Sequence, residues 1–265
     1  MYEKAKKRFD KYIQDNFDID NEIVKRKYDH TCNVVKMVEY ICDDLNLTCE
    51  DKELAKVIAL LHDIGRFEQS RQYSSLIEAS KKIDHAALGV KVLFDNNWIR
   101  EFIEQDSYDN IIELAIFNHN KYKLETDNLN DKEILHCKLI RDADKADNFR
   151  VKVTGDITSM AKITKYEVEN SNISDKVFND FMSKKAILSS DRKTAIDIWI
   201  SYIAFIFDFN FTSGLKYIYD ENYINILIDR FNYKNPATKD KMELIRLFAN
   251  DYISDRLEIA KHLKK

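Results

Sequence analysis

The sequence predicts an all-α protein, and three observations carry the prediction. Only 4 glycines and 1 proline occur in 265 residues, too few turn formers for a strand-rich chain. The abundant Lys, Glu, Leu, Ile and Ala are helix formers. Apolar residues recur at three- and four-residue intervals over most of the length. No segment shows sustained strand alternation, and only "RVKVTGDITS" (150–159) is ambiguous between the two periods.

The elements follow in order. "YEKAKKRF" (2–9) reads as the solvated face of a first helix, with its basic residues interleaved among apolar ones. "HTCNVVKMVEYICDDL" (30–45) places Val34, Val38, Ile41 and Leu45 on one stripe. "DKELAKVIALLHDIG" (51–65) does the same with Leu54, Ile58 and Leu61, and Gly65 stands where a C-cap would stop the helix. "DHAALGVKVLF", "NIIELAIFNHN" and "DKEILHCKLIRDAD" supply three more helices. Beyond Asn170, the polar breaks "NSNISD", "SSDRKT", "NFTSG" and "YKNPATKD" separate aromatic-rich helices, and Asn235–Pro236 suits an N-cap and first-turn pair. The expected division is a helical core over 1–155 and a helical C-terminal extension over 156–265, packed on the core as one structural unit.

Composition narrows the function. Hydrophobic residues make up 45% and charged residues 33%, so the chain can bury a substantial core. A net charge of −4 argues against a nucleic-acid polymer as partner. "IWISYIAFIF" (198–207) is too short to span a bilayer and reads as a buried helix. The N-terminus has no apolar run of the secretory type, and the four cysteines show no CxxC spacing. Both lead us to expect a protein of a reducing cytoplasm, without membrane contact.

Four of the six histidines extend apolar stripes. His30 stands one turn before Val34, and His62 one turn after Ile58. His85 precedes Leu88, Gly89 and Val92, and His119 follows Ile112, Ala115 and Ile116. Asp144 continues Cys137 and Ile140, while Asp63 adjoins His62. Carboxylates are almost never buried unless paired or bound to a metal. Five helices that each offer an inward N or O ligand could therefore converge on one metal site. Imidazole and carboxylate without thiolate suit zinc, iron, manganese or nickel. His136 and His262 fall off this pattern and read as surface residues.

The ordered set His30, then His62–Asp63 in "LLHDIGR", then Asp144 in "IRDADKADN" resembles the HD superfamily of metal-dependent phosphohydrolases, over about Tyr28 to Val151. His85 in "DHAALGVKVL" and His119 in "FNHNKY" resemble two further ligands of its dinuclear members. The resemblance implies an HD-type helical bundle. In it, His30, His62, Asp63 and Asp144 would hold one divalent ion (Fe, Mn, Zn, Ni or Mg), and Asp63 would bridge to a second at His85 and His119. "NHNKYKLETD" lacks the adjacent histidines and Gly-Tyr-Pro of the cyclic-di-GMP branch. Arg26 stands where that branch can carry a third-metal Glu.

The implied reaction is hydrolysis of a small phosphorylated substrate, a nucleotide being the first class expected. Two metals about 3.5–4 Å apart lower the pKa of a water and clamp the phosphate. Arg66, and after it Lys145, would meet phosphate oxygens. Protonation of the leaving group would fall to Glu68, Asp84 or Asp147, with Asp147 also suited to hold a ligand imidazole by its other N–H. Phe67, Tyr73 and Tyr122 are candidates to stack on a base. Two alternatives remain: an HD-type di-iron oxygenase, and a non-catalytic domain that senses a ligand or uses metal to hold its fold.

Overall fold

A computed structural model describes residues 1–72, 83–95 and 97–263. It is all-α, with no strand among the described residues. The chain divides into two compact units, Met1–Asp147 and Asn148–Lys265.

The first unit contains α1 (Tyr2–Asn16), α2 (Glu22–Asp44), α3 (Cys49–Leu61), α4 (Ile64–Gln72), α5 (His85–Phe94) and α6 (Asp109–Asn118). A seventh helix, α7 (Asp131–Thr154), begins in this unit and carries the boundary within it. Starts are set by local chemistry. Asn21 caps α2 by accepting from Ile23 N–H at 2.9 Å, and Thr48 caps α3 by accepting from Asp51 N–H at 3.1 Å. The predicted stripe of α2 is the buried one: Val34, Val38 and Ile41 have no exposed surface, and Leu54, Ile58 and Leu61 of α3 are likewise buried.

Gly65 corrects an expectation. It is not a C-cap: α3 ends at Leu61, His62 and Asp63 form a turn, and Gly65 lies inside α4. No glycine has positive φ. The local sequence does not reveal its role, which is a close approach of backbones. A Cβ at Gly65 would fall 2.1 Å from the carbonyl oxygen of His85 and 2.7 Å from the amide nitrogen of Gly89. The α4–α5 contact therefore admits no side chain at this point.

After the end of α7, the second unit contains α8 (Ile157–Ala161), α9 (Lys165–Asn170), α10 (Asp175–Met182), α11 (Ala195–Ile203), α12 (Thr212–Asp220), α13 (Tyr223–Asp229) and α14 (Pro236–Leu263). The ambiguous 150–159 segment is the end of α7, a break at Gly155 and the start of α8, capped by Asp156 accepting from Ser159 N–H at 2.7 Å. Helical α7 wins there because Arg230 donates to the terminal carbonyls of Lys152, Val153 and Gly155, satisfying groups that a helix end leaves open. Trp199 of α11 is buried and donates its indole N–H to the Leu227 carbonyl at 3.0 Å. Asn235 caps α14 ahead of Pro236, accepting from Ala237 N–H at 2.9 Å. No described helix is long and apolar enough to cross a membrane.

Candidate metal centre

The six predicted ligand positions come together inside the first unit. His30 projects from α2, His62 and Asp63 from the turn between α3 and α4, His85 from the first position of α5, His119 from the end of α6, and Asp144 from α7. The four imidazoles and Asp63 are buried; Asp144 is partly exposed.

Asp63 sits at the middle. Its Oδ2 lies 3.8 Å from Nε2 of both His30 and His62. Its Oδ1 lies 3.4 Å from His85 Nε2 and 3.8 Å from His119 Nε2. Asp144 Oδ1 is 3.1 Å from His30 Nε2 and 3.9 Å from His62 Nε2. The donor atoms of His30, His62 and Asp144 all lie within 4.8 Å of one another, as do those of His62, Asp63 and His119, so each set could hold an ion.

The outer nitrogens explain the ring orientations. His30 Nδ1 meets Asp147 Oδ2 at 2.6 Å, the support expected of Asp147. His62 Nδ1 donates to the Ala59 carbonyl at 2.7 Å, and His119 Nδ1 to the Ile116 carbonyl at 2.6 Å. In both rings this leaves an Nε2 lone pair facing the centre. His62 Nε2 is fully buried with no hydrogen-bond partner. A buried polar atom without a partner costs free energy, and a cation at that position would supply one. The donor set fits a divalent metal on this ground as well as by chemistry.

Protonation agrees with that fit. Burial pushes His62 down to about 4, His85 well below its usual range and His119 downward. These rings are therefore neutral at cellular pH. Burial works in the same direction on His30, but hydrogen bonds accepted by the carboxylates of Asp144 and Asp147 overcome it and raise its pKa. Burial alone would protonate Asp63; the cations Lys27 and Arg66 hold its carboxyl well below the usual range. Asp144 is likewise lowered against burial, chiefly by His30.

Two cations flank the central carboxylate. Arg66 Nε is 3.8 Å from Asp63 Oδ1, and its guanidinium also donates to Gln69 at 3.1 Å. Lys27, absent from the sequence reading, donates to Asp63 Oδ2 at 2.9 Å. The available signal was its position three residues ahead of His30, on the same face of α2. Asn120 was also missed: its amide reaches Asp84 Oδ1 at 2.7 Å and His85 Nδ1 at 3.5 Å. Asp84 caps α5 through Ala86 N–H at 2.9 Å and pairs with Lys121 at 2.6 Å, which holds it down at about 2 against the cost of burial.

Other expected residues stand as follows. Glu68 is held by the Tyr12 hydroxyl and by Arg71 at 3.4 Å. Lys145 is buried and donates to the Arg141 carbonyl at 3.3 Å. Phe67 is not a platform for a base: it is buried, packed edge-on against Phe9 and Phe17 at 5.8 and 5.7 Å. Tyr122 is exposed, and Tyr73 lies outside the described residues. His136 corrects a second expectation. It is fully buried, because Asp51, distant in sequence, meets its Nε2 at 3.3 Å. His262 is exposed, as expected.

No curated protein and no solved structure matches the chain. The HD domain family model matches residues 28–149, a span that takes in all six residues of the centre. Over that span the chain is similar to the HD domain, whose superfamily consists largely of metal-dependent hydrolases.

Proposed function

We propose that the protein is a metal-dependent phosphohydrolase that cleaves a phosphate ester or anhydride of a small molecule, with nucleotides as the first class to test. The carrying observation is a buried carboxylate, Asp63, with imidazoles of four different segments around it and a cation at each of its oxygens. His30, His62, Asp63 and Asp144 would hold one divalent ion; Asp63, His85 and His119 would hold a second. When bound, such a pair would activate a water and neutralise phosphate oxygens.

The chain's own groups do the rest. Asp147, Ala59 O and Ile116 O hold the rings of His30, His62 and His119 in place. Arg66 is assigned to phosphate, for which a guanidinium offers a planar fork of donors. Lys27, on the opposite oxygen of Asp63, keeps that carboxylate ionised and oriented. Lys145 and Glu68 are further assignments to be tested by single replacement beside Arg66.

The test is a phosphate-release screen over nucleoside mono- and triphosphates, cyclic nucleotides and simple esters. Protein is purified without chelator or a His-tag column, and its metal content measured by mass spectrometry. Release that disappears with His62→Ala and Asp63→Asn supports the proposal. Oxygen uptake without phosphate release from iron-loaded protein would move the same centre to the oxygenase class. Metal without either activity would leave it a structural or sensing site.

A further inference from the structure

The turn that follows α6 carries more of the centre than His119. Residues 118–121 close on themselves, Lys121 N–H donating to the Asn118 carbonyl at 3.3 Å. Two side chains of the turn reach Asp84: Asn120 Nδ2 donates to its Oδ1 at 2.7 Å, and Lys121 Nζ to its Oδ2 at 2.6 Å. Asp84 in turn caps α5 through Ala86 N–H at 2.9 Å, and His85 is the first residue of that helix. The placement of both His119 and His85 therefore depends on this one turn.

The turn itself is held by Arg141. Its Nη1 donates to the Asn118 carbonyl at 2.9 Å and to the Lys121 carbonyl at 2.6 Å, the two carbonyls that bracket His119 and Asn120. The side chain is only 1% exposed. Burying a charge that cannot be shed costs free energy. Here two carbonyls offset part of that cost, at the C-terminal end of α6, where the helix dipole favours a cation. Arg141 also stands three residues before Asp144 on α7, so the two project from one face of that helix. A single turn of α7 thus sends a carboxylate to one metal position and a guanidinium to the backbone behind the other.

We propose that Arg141 is a positioning residue. Through the 118–121 turn it fixes the second metal position, at Asp63, His85 and His119, against the first, at His30, His62, Asp63 and Asp144. The inference rests on the dinuclear reading above. Asp147 supports a single ring, whereas Arg141 supports the backbone on which two ligands of one position depend. Its loss should weaken the second ion and spare the first.

Two measurements on the full chain test it. Calorimetric titration of metal-stripped protein with Mn²⁺ should show two steps, the second lost in His119→Ala. Arg141→Lys keeps the charge but replaces the guanidinium with a shorter side chain ending in one ammonium. Its second step should weaken by about 10–100-fold, the scale of partners that stand behind metal ligands, with the first unchanged. Arg141→Ala should lose the second step, and methylguanidinium, at concentrations without effect on the wild type, should restore it. Amide hydrogen exchange of the metal-free protein is the second measurement: protection at Lys121 should fall in Arg141→Lys while that of α2 stays. A second step intact in Arg141→Lys, both steps weakened alike, or unchanged protection at Lys121 overturns the proposal alone. Wild-type protein that takes up no Mn²⁺, or one ion indifferent to His119→Ala, overturns the dinuclear reading as well.

Discussion

His136 shows what one buried imidazole does to stability. Burial lowers its pKa, and Asp51 only partly counters that. The unfolded chain, with an imidazole near 6.5, therefore takes up the proton first as pH falls. The contribution of His136 is complete above that value and is lost as pH drops through it. We expect the difference in melting temperature between wild type and His136→Gln to shrink between about pH 8 and about pH 5; a constant difference would contradict the assignment. Asp147 lends itself to a second prediction at this scale. Asp147→Asn keeps the shape but removes the charge on His30 Nδ1, and should weaken the first metal by about 10–100-fold, read as Mn²⁺ or Zn²⁺ affinity. The ligand stripe was legible because His30, His62 and His119 each sit one helical turn from buried aliphatics. The partners were not. Lys27 reaches Asp63 with a long side chain from 36 positions away, and Asp51 meets His136 across 85, separations that no local pattern encodes.

At the scale of elements, the helices were readable from their periodicity and caps, as Asn235–Pro236 shows. Gly65 was misread because a glycine that ends a helix and one that admits a neighbouring backbone look the same in one dimension. Its actual role makes a direct prediction. In Gly65→Ala the added methyl meets the His85 carbonyl, a main-chain atom that cannot rotate away. The α4–α5 seam must then part, at a cost of about 1–3 kcal/mol by analogy with overpacked cores, measurable by urea unfolding. Because the same seam carries His85, metal uptake at the second position should fall as well. Thr194 heads α11 in a capping box with Asp197. Thr194→Ala should cost about 1 kcal/mol and leave metal content unchanged, which makes it a control for lost stability without a lost site.

For the molecule as a whole, the bound ions are expected to be part of the fold. Anything that binds only the native state adds RT ln(1 + [L]/Kd), about 2.7 kcal/mol at a hundredfold excess over Kd. Stripping the metal should lower the melting temperature, and the preferred ion should restore it in a concentration-dependent way. A melting temperature indifferent to chelator would mean that His62 Nε2 finds another partner. The sequence indicated an all-helical chain with one buried polar centre, because stripe periodicity and ligand order both survive in one dimension. The division of the chain at Asp147–Asn148 falls inside α7, where the sequence offers no break to mark it.

The contact between Gly65 and the His85 carbonyl has a consequence for how this protein can change. Side chains can be exchanged one mutation at a time, but a spacing fixed by main chain against main chain cannot be adjusted in small steps. A randomised library at Gly65, selected only for folded protein that retains metal, should return glycine and little else. The same library at Tyr122, exposed beside the α6 end, should return many residues. Change is thus open to this chain at exposed positions such as Tyr122, while the spacing between α4 and α5 stays as it is.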